Sequence, residues 1–178
     1  MTNPDTIVRR MTGDDIEVVA ALHVDSWRSA YRGIMADDYL DERAPADRQQ
    51  HWTERLRQPS PAQAGFIAEH GGHPVGFVFL LGDADARYGT LLDNLHVAAA
   101  VRGAGVGRAL LSAAAREIVE RRWQRGLYLW VFAANTGARR FYERHGGEAV
   151  EHAELTTADG LPHPAVRYAW PDATVLIA

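Results

Sequence analysis

Three glycines at alternate positions, Gly103, Gly105 and Gly107, separate a strand-like segment from a helix-like segment. Residues 90–97 have the composition of a strand, and residues 105–121 carry apolar side chains at helical spacing. Glycine has no Cβ, so the backbone of such a turn can approach a ligand closely. The first turn of the helix adds amide N–H groups without intrahelical partners and a dipole that favours anions. The segment therefore predicts an α/β fold with a phosphate-binding turn.

The spacing of these glycines distinguishes between the known phosphate-binding motifs. A dinucleotide fingerprint, Gly-x-Gly-x-x-Gly, would need a third glycine where the chain has Arg108 or Leu110. A P-loop would need Gly-Lys-Ser/Thr, and the chain has no such triplet. The observed order, Arg-x-x-Gly-x-Gly starting at Arg102, resembles the coenzyme A pyrophosphate motif of GNAT acetyltransferases. A turn that is merely rich in glycine is the alternative.

A second segment strengthens this resemblance. Residues 127–132 are apolar on both faces, which is typical of a strand in the middle of a sheet. Asn135 follows, then Ala-x-x-Phe-Tyr at 138–142 on a predicted helix, which ends at Gly146. This order is similar to the second GNAT motif and lies one helix downstream of the first. The segment 21–33 also resembles the opening helices of bacterial members, so the resemblance covers nearly the whole chain.

The pattern of elements predicts one domain, since 178 residues with 47% hydrophobic composition suffice for one core. The resemblance implies the GNAT (acyl-CoA N-acyltransferase) fold, an α/β fold with a mixed, mostly antiparallel sheet of about seven strands flanked by helices on both faces. We expect a single N-acetyltransferase domain over residues 6–172, with tails at 1–5 and 173–178. Two local expectations follow: Arg108, Ser112 and Arg116 should face solvent, and Gly147, where the family has Phe or Tyr, should leave the next strand poorly packed.

Composition narrows the function classes. A net charge of −4 argues against a general nucleic-acid-binding protein. The absence of cysteine excludes disulfides, thiolate metal sites and a cysteine acyl intermediate. Apart from His23 and His96, the histidines show no metal-ligand spacing, so we expect no metal. No signal peptide is recognisable, and the longest apolar run is far shorter than the roughly 20 residues that span a bilayer, so we expect a cytoplasmic protein without membrane partners.

The resemblance implies acetyl-coenzyme A as the cofactor and indicates which residues bind it. Leu95 and Val97 are expected to pair through their backbone with the pantetheine amides, because this strand and the Tyr128 strand splay apart in the family. Asn135 resembles the residue that hydrogen-bonds the pantetheine arm, and a helix N-cap is a compatible alternative. The residues expected at the pyrophosphate are Arg102, Gly103, Ala104, Gly105, Val106, Gly107 and Arg108.

Acetyl transfer to an amine needs a proton acceptor and a proton donor. Tyr142 resembles the family tyrosine that lies beside the cofactor sulfur and donates a proton to it, and a tyrosine that only packs on the sheet is the alternative. The base is less defined, because no glutamate occupies the fourth strand, where some members have one. His96 and Asp93 are candidates, on opposite faces of the strand if side chains alternate. A water relay, or His23 on the first helix, is the alternative.

Trp27 and Tyr31 lie four residues apart and so share one face of the first helix. Because the first two helices wall the acceptor pocket in the family, we expect this pair to bind the acceptor, although packing on the sheet would also explain it. The predicted function is direct transfer of acetyl from acetyl-CoA to an amine of a small molecule, peptide or protein, with a homodimer among the expected assemblies. An acetyl-CoA-binding regulatory module and another nucleotide-phosphate-binding enzyme are the alternatives.

Overall fold

The computed structural model describes residues 6–177. The predicted tail 1–5 lies outside these residues, as does residue 178. The strands are β1 Thr6–Arg10, β2 Gln63–His70, β3 His73–Asp85, β4 Gly89–Val97, β5 Leu127–Phe132, β6 Glu148–Thr156 and β7 Pro162–Trp170. The α-helices are α1 Ile16–Ala30, α2 Ala44–Arg57, α3 Val106–Arg121 and α4 Thr136–Arg144. Short helical turns lie at Gly13–Asp15, Tyr39–Arg43, Ala99–Val101 and Ala173–Leu176. Among the described helices, none is long and apolar enough to cross a membrane.

The seven strands form one sheet in the order β1-β2-β3-β4-β5-β7-β6. Every neighbouring pair is antiparallel except β4 and β5, which are parallel. This confirms the predicted mixed, mostly antiparallel sheet. The parallel pair is short, because only Thr90 with Leu127 and Leu91 with Tyr128 are in register. Beyond these residues β4 and β5 separate, and the sheet opens at its centre.

Helices cover both faces of the sheet, as predicted. On one face, α1 and α2 pack through residues such as Trp52 against Phe77 and Phe79 of β3. On the other face, α3 packs its apolar side into a core shared with β5 and β7. The expectation that Ser112 faces solvent is wrong, since its residue is only 7% exposed. The flank of α3 that carries Ser112 lies against β1, which the helical pattern alone does not reveal.

The predicted packing defect at Gly147 is also wrong. Trp170 of β7 is 1% exposed and lies so close that a Cβ at residue 147 would stand 2.7 Å from its ring. The Trp170 indole N–H donates to the carbonyl of His145 at 2.8 Å, which fixes the ring in that position. The space beside Gly147 is thus filled by the Trp170 side chain of β7, the strand that pairs with β6. Beyond β7 the chain continues to pack on α3 through Ala173 and Leu176, where the sequence placed the start of a tail.

Candidate functional site

A cleft of about 540 Å³ opens where β4 and β5 separate. Five elements wall this cleft: β4, β5, the end of α1, the glycine turn before α3, and α4. Its lining includes Ser26, Ser29, Ala30, Tyr31, Leu92, Asp93, Asn94, Leu95, His96, Val97, Arg102, Gly103, Gly107, Leu129, Trp130, Val131, Asn135, Ala138, Phe141 and Tyr142. The two motifs found in the sequence therefore meet at one cavity.

The glycine turn is open toward solvent and is not filled by a side chain. Gly103 and Gly105 have φ angles of 88° and 85°, a left-handed conformation that favours glycine. A Cβ built on either residue would meet no atom within 4 Å. Within the described chain, the amide N–H groups of Gly103 and of residues 105–108 donate to no acceptor. Because α3 also directs its positive dipole end here, the turn fits a diphosphate group.

The other residues predicted for the pyrophosphate differ in position. Arg102 borders the cleft, and its guanidinium donates to Ser29 Oγ at 3.2 Å. Arg108 is exposed but borders a second, shallow cavity beside β1 instead. Val106 is buried in the core and can offer only its backbone N–H, whereas Ala104 packs against the core and its N–H already donates to the Val101 carbonyl at 3.2 Å.

Asn135 and Tyr142 border the cleft from the second motif. Asn135 Oδ1 accepts a hydrogen bond from the Ala138 amide at 3.1 Å, so it caps α4 while its residue lines the cavity. Tyr142 is 7% exposed, and its hydroxyl makes no hydrogen bond to any described residue. Burial and the nearby Tyr31 raise the pKa of the Tyr142 phenol above its usual value. The hydroxyl therefore stays protonated at neutral pH.

His96 and Asp93 lie on the same face of β4, so their predicted placement on opposite faces is wrong. Phe79 pairs with Asn94 and Leu80 with Leu92, which leaves Asp93 as the extra residue of a β-bulge. The bulge shifts the alternation of side chains by one residue. As a result both side chains point toward α1 and α2, where Asp93 meets Arg55 and His96 meets Ser26.

The surroundings of the two candidate bases differ. Asp93 Oδ2 lies 2.5 Å from Arg55 Nη1 and accepts a hydrogen bond from the Asn94 side chain. His96 is 9% exposed, and a 2.8 Å hydrogen bond joins its Nδ1 to Ser26 Oγ. Burial, with help from Arg48 and Arg102, lowers the pKa of His96 to about 3. Its imidazole is thus neutral at pH 7, while the carboxylate of Asp93 is held by a cation.

The structure separates the predicted acceptor-binding pair. Tyr31 borders the cleft, its ring packs edge-on against Phe132 at 4.8 Å, and burial raises its pKa to about 12. Trp27 does not border the cleft. Its ring lies 4.5 Å from His23 and beneath the Arg48 guanidinium at 4.6 Å, inside the packing of the helices. Of Trp27 and Tyr31, therefore, only Tyr31 can contact a ligand in the cleft.

Several cleft residues were missed in the sequence. Trp130 lies on the strand that was predicted, and the side-chain alternation from Tyr128 would have placed it on the same face. Ser26 and Ser29 carry no comparable signal, because their partners His96 and Arg102 lie 70 and 73 residues away along the chain. His23, named as an alternative base, is fully buried, and its Nδ1 accepts a hydrogen bond from the Trp52 indole at 3.0 Å.

The model of the Acetyltransferase (GNAT) family matches residues 21–147. The chain belongs to this family. It is 27% identical, over 95% of both chains, to the uncharacterized N-acetyltransferase YuaI of Bacillus subtilis. Its fold is similar to that of a GCN5-related N-acetyltransferase of Rhodopseudomonas palustris, with a TM-score of 0.75 at 23% identity over 95% of this chain and 97% of the other. It is also similar to PaiA N-acetyltransferase of Thermoplasma acidophilum in complex with coenzyme A, with a TM-score of 0.73 at 16% identity over 93% and 99%.

These findings confirm the predicted fold, the enzyme class and the cosubstrate: the chain is a GNAT N-acetyltransferase that uses acetyl-CoA. In the described part of the chain, no cluster of three or more His, Asp or Glu side chains could hold a metal ion.

Proposed function

We propose that this GNAT protein transfers acetyl to the amine of its acceptor by direct attack, with both substrates held in the cleft between β4 and β5. The observation that supports this most is that the open glycine turn, the Tyr142 residue and the His96 residue all border one cavity. Acetyl-CoA supplies the activated acetyl thioester. The chain has no cysteine, which favours direct attack over a thiol-linked acyl intermediate.

The cofactor is held mainly by backbone groups in this proposal. The unpaired amides of Gly103 and of residues 105–108 bind the diphosphate, and Arg102 adds positive charge. The edge of β4 that faces β5 has no strand partner beyond Leu91, so backbone groups near Leu95 and Val97 are available to the pantetheine arm. PaiA N-acetyltransferase, which shares the fold, is described with coenzyme A bound, in line with this assignment.

His96 is the better of the two candidate bases. Primary amines are mostly protonated at pH 7, so a proton must leave before the nitrogen can attack. The neutral His96 imidazole selects the neutral amine by accepting a hydrogen bond from it, and its low pKa means that the proton passes on to solvent rather than staying on the ring. Asp93 is less suited, since Arg55 already neutralises it.

Tyr142 is the proton donor in this mechanism. As the new C–N bond forms and the C–S bond breaks, the departing sulfur needs a proton, and the Tyr142 hydroxyl has one and no competing hydrogen-bond acceptor among the described residues. Counted from the ammonium form, the nitrogen loses two protons, one to solvent before the attack and one as the amide forms. The sulfur takes its proton from Tyr142, and the second proton from the nitrogen restores the Tyr142 hydroxyl through solvent, so each turnover releases one proton. Tyr31 lies close enough to Tyr142 to affect its pKa and borders the same cleft, so we place the acceptor beside it.

The test is an amine panel scored by release of free thiol from acetyl-CoA, with spermidine, kanamycin, lysine and a short peptide as acceptors. With the best acceptor, Tyr142→Phe should lower kcat by about 100-fold or more while the Kd for acetyl-CoA stays unchanged. Tyr88→Phe is the matched control, because Tyr88 is half-buried and does not border the cleft.

Two outcomes would contradict the proposal. If no amine is acetylated but acetyl-CoA still raises the melting temperature, the chain acts as a binding module rather than an enzyme. If ATP or NAD stabilises the protein more than acetyl-CoA, the turn binds another nucleotide. A ligand at about 100 times its Kd adds roughly 2.7 kcal/mol, which a thermal shift assay detects easily.

A further inference from the structure

Ser26 contacts the candidate base directly and has no role in the mechanism above. It lies on α1, is 7% exposed, and borders the cleft beside His96. The 2.8 Å hydrogen bond between Ser26 Oγ and His96 Nδ1 joins α1 to β4 across the wall of the cavity. No other hydrogen bond to the His96 side chain is formed by the described residues.

The two ring nitrogens of His96 therefore have different environments. Nδ1 is taken by Ser26, whereas Nε2 has no partner within residues 6–177. The Nε2 atom of the neighbouring His23 is buried and has no hydrogen-bond partner in the described chain. The Nε2 atom of His96 also has no such partner there, but it is not buried, so it is accessible from the cleft that the ring borders. An incoming amine can meet only Nε2.

A neutral imidazole carries a single N–H, so the partner of one nitrogen determines what the other can do. If Nδ1 carries the hydrogen, Nε2 presents a lone pair to the cleft. If Nε2 carries it, the ring can only donate there and cannot accept a hydrogen bond from an amine. Among the described residues, His96 Nδ1 is the partner of Ser26 Oγ, so the direction of this one hydrogen bond sets which ring nitrogen carries the hydrogen.

We infer that Ser26 is a positioning residue whose hydroxyl oxygen accepts the Nδ1–H of His96, fixes the ring, and keeps the Nε2 lone pair directed into the cleft. This inference rests on the proposed role of His96. The remaining neighbours of the ring do not replace Ser26. His23 already accepts from Trp52 at Nδ1, and Phe77 of β3 packs on the ring at 5.3 Å without a polar atom. Arg48 and Arg102 are cations that disfavour the charged imidazole.

The decisive measurement is the ¹H–¹⁵N correlation pattern of the His96 imidazole in the protein without ligands, which distinguishes Nδ1–H from Nε2–H. We expect the Nδ1–H tautomer in the native protein and in Ser26→Thr, which keeps the hydroxyl. Ser26→Ala should shift the ring toward Nε2–H. Asp25→Ala, an exposed neighbour on α1, is the matched control and should leave the pattern unchanged.

The kinetic arm uses the panel amine that turns over fastest. Ser26→Ala should lower kcat/KM for that amine about tenfold, the effect of one lost hydrogen bond, with an unchanged Kd for acetyl-CoA, and Ser26→Thr should recover most of the loss. A native protein with the Nε2–H tautomer would overturn the inference even if Ser26→Ala does not fold. If His96→Gln lowers turnover but Ser26→Ala changes neither tautomer nor rate, Ser26 is only a packing residue. If His96→Gln leaves turnover unchanged, the proposed role of His96 fails first.

Discussion

The buried histidines should make this protein lose stability in mildly acidic solution, well above the range where its carboxylates are protonated. An unfolded imidazole binds a proton near its ordinary pKa of 6.5, whereas His96 in the folded protein does so only near about 3. Between these values the unfolded state binds more protons, so the free energy of unfolding falls as the pH falls. His23, whose pKa burial lowers well below 6.5, and His51, lowered to about 4, act in the same direction.

The contribution of His96 alone can be worked out. On going from about pH 7.5 to about pH 5, the unfolded ring passes roughly 1.5 pH units below its pKa, and each unit corresponds to 1.36 kcal/mol, so the loss is about 2 kcal/mol. The exact pKa of His96 in the folded protein has little effect on this value, because the folded ring remains neutral at pH 5. The native protein should lose more than this, since His23 and His51 add to it.

Urea denaturation at the two pH values measures the effect. We expect His96→Gln to lose about 2 kcal/mol less than the native protein over this interval, whatever the substitution costs at neutral pH. His152→Gln is the matched control, because His152 is exposed on β6. If His96→Gln and the native protein show the same difference between the two pH values, His96 titrates normally in the folded state. The argument that it is a neutral hydrogen-bond acceptor would then be refuted.

Two further predictions, one with a control substitution, test the local geometry. Gly105→Ala should cost about 1–2 kcal/mol, because alanine is strained at a φ of 85°, and should also weaken acetyl-CoA binding in calorimetry. Gly160→Ala, at a φ of 81° and equally free of neighbours, should cost a similar amount without affecting binding, and equal binding losses in the two would contradict the role of the turn. Gly147→Phe introduces a residue typical of the family at this position. It should lower the free energy of unfolding in urea by about 1–3 kcal/mol or more, because the Trp170 ring occupies the space that the new side chain needs. A stabilising effect would show that the indole can move aside.

The part of the site that could be predicted from sequence is local along the chain. The turn at 102–107 follows a strand and opens a helix, and the segment 127–146 repeats this order, so backbone conformation and short-range spacing identify both motifs. Asn135 as a helix cap and Gly146 as a helix terminator follow from the same local rules. The sheet order brings the two segments together, because β4 and β5 are neighbours.

The parts that could not be predicted depend on contacts between distant residues. Trp27 and Tyr31 share a helix face, but only the packing of Trp27 under Arg48 of α2 decides that Tyr31 alone reaches the cleft. The Ser26–His96 hydrogen bond is of the same kind. Periodicity gives the face of an element, and it does not give the partner that this face meets.

The bulge at Asp93 is an intermediate case, because the sequence contained its signal. Leu92 packs in the core beneath α3, and so do Leu95 and Val97. Since Leu92 and Leu95 are an odd number of residues apart, strict alternation could not have placed both in one core, and one extra residue between them is required. If Asp93 were paired in a regular strand with no bulge, the alternation set by Leu92 would have turned His96 into the apolar core under α3, where an imidazole finds no hydrogen-bond partner. The bulge instead turns His96 toward Ser26, while Asp93, next to Leu92, points toward Arg55 by ordinary alternation. The bulge in β4 thus places both candidate bases on the side of α1 and α2, where Arg55 neutralises Asp93 and His96 stays uncharged beside the cleft.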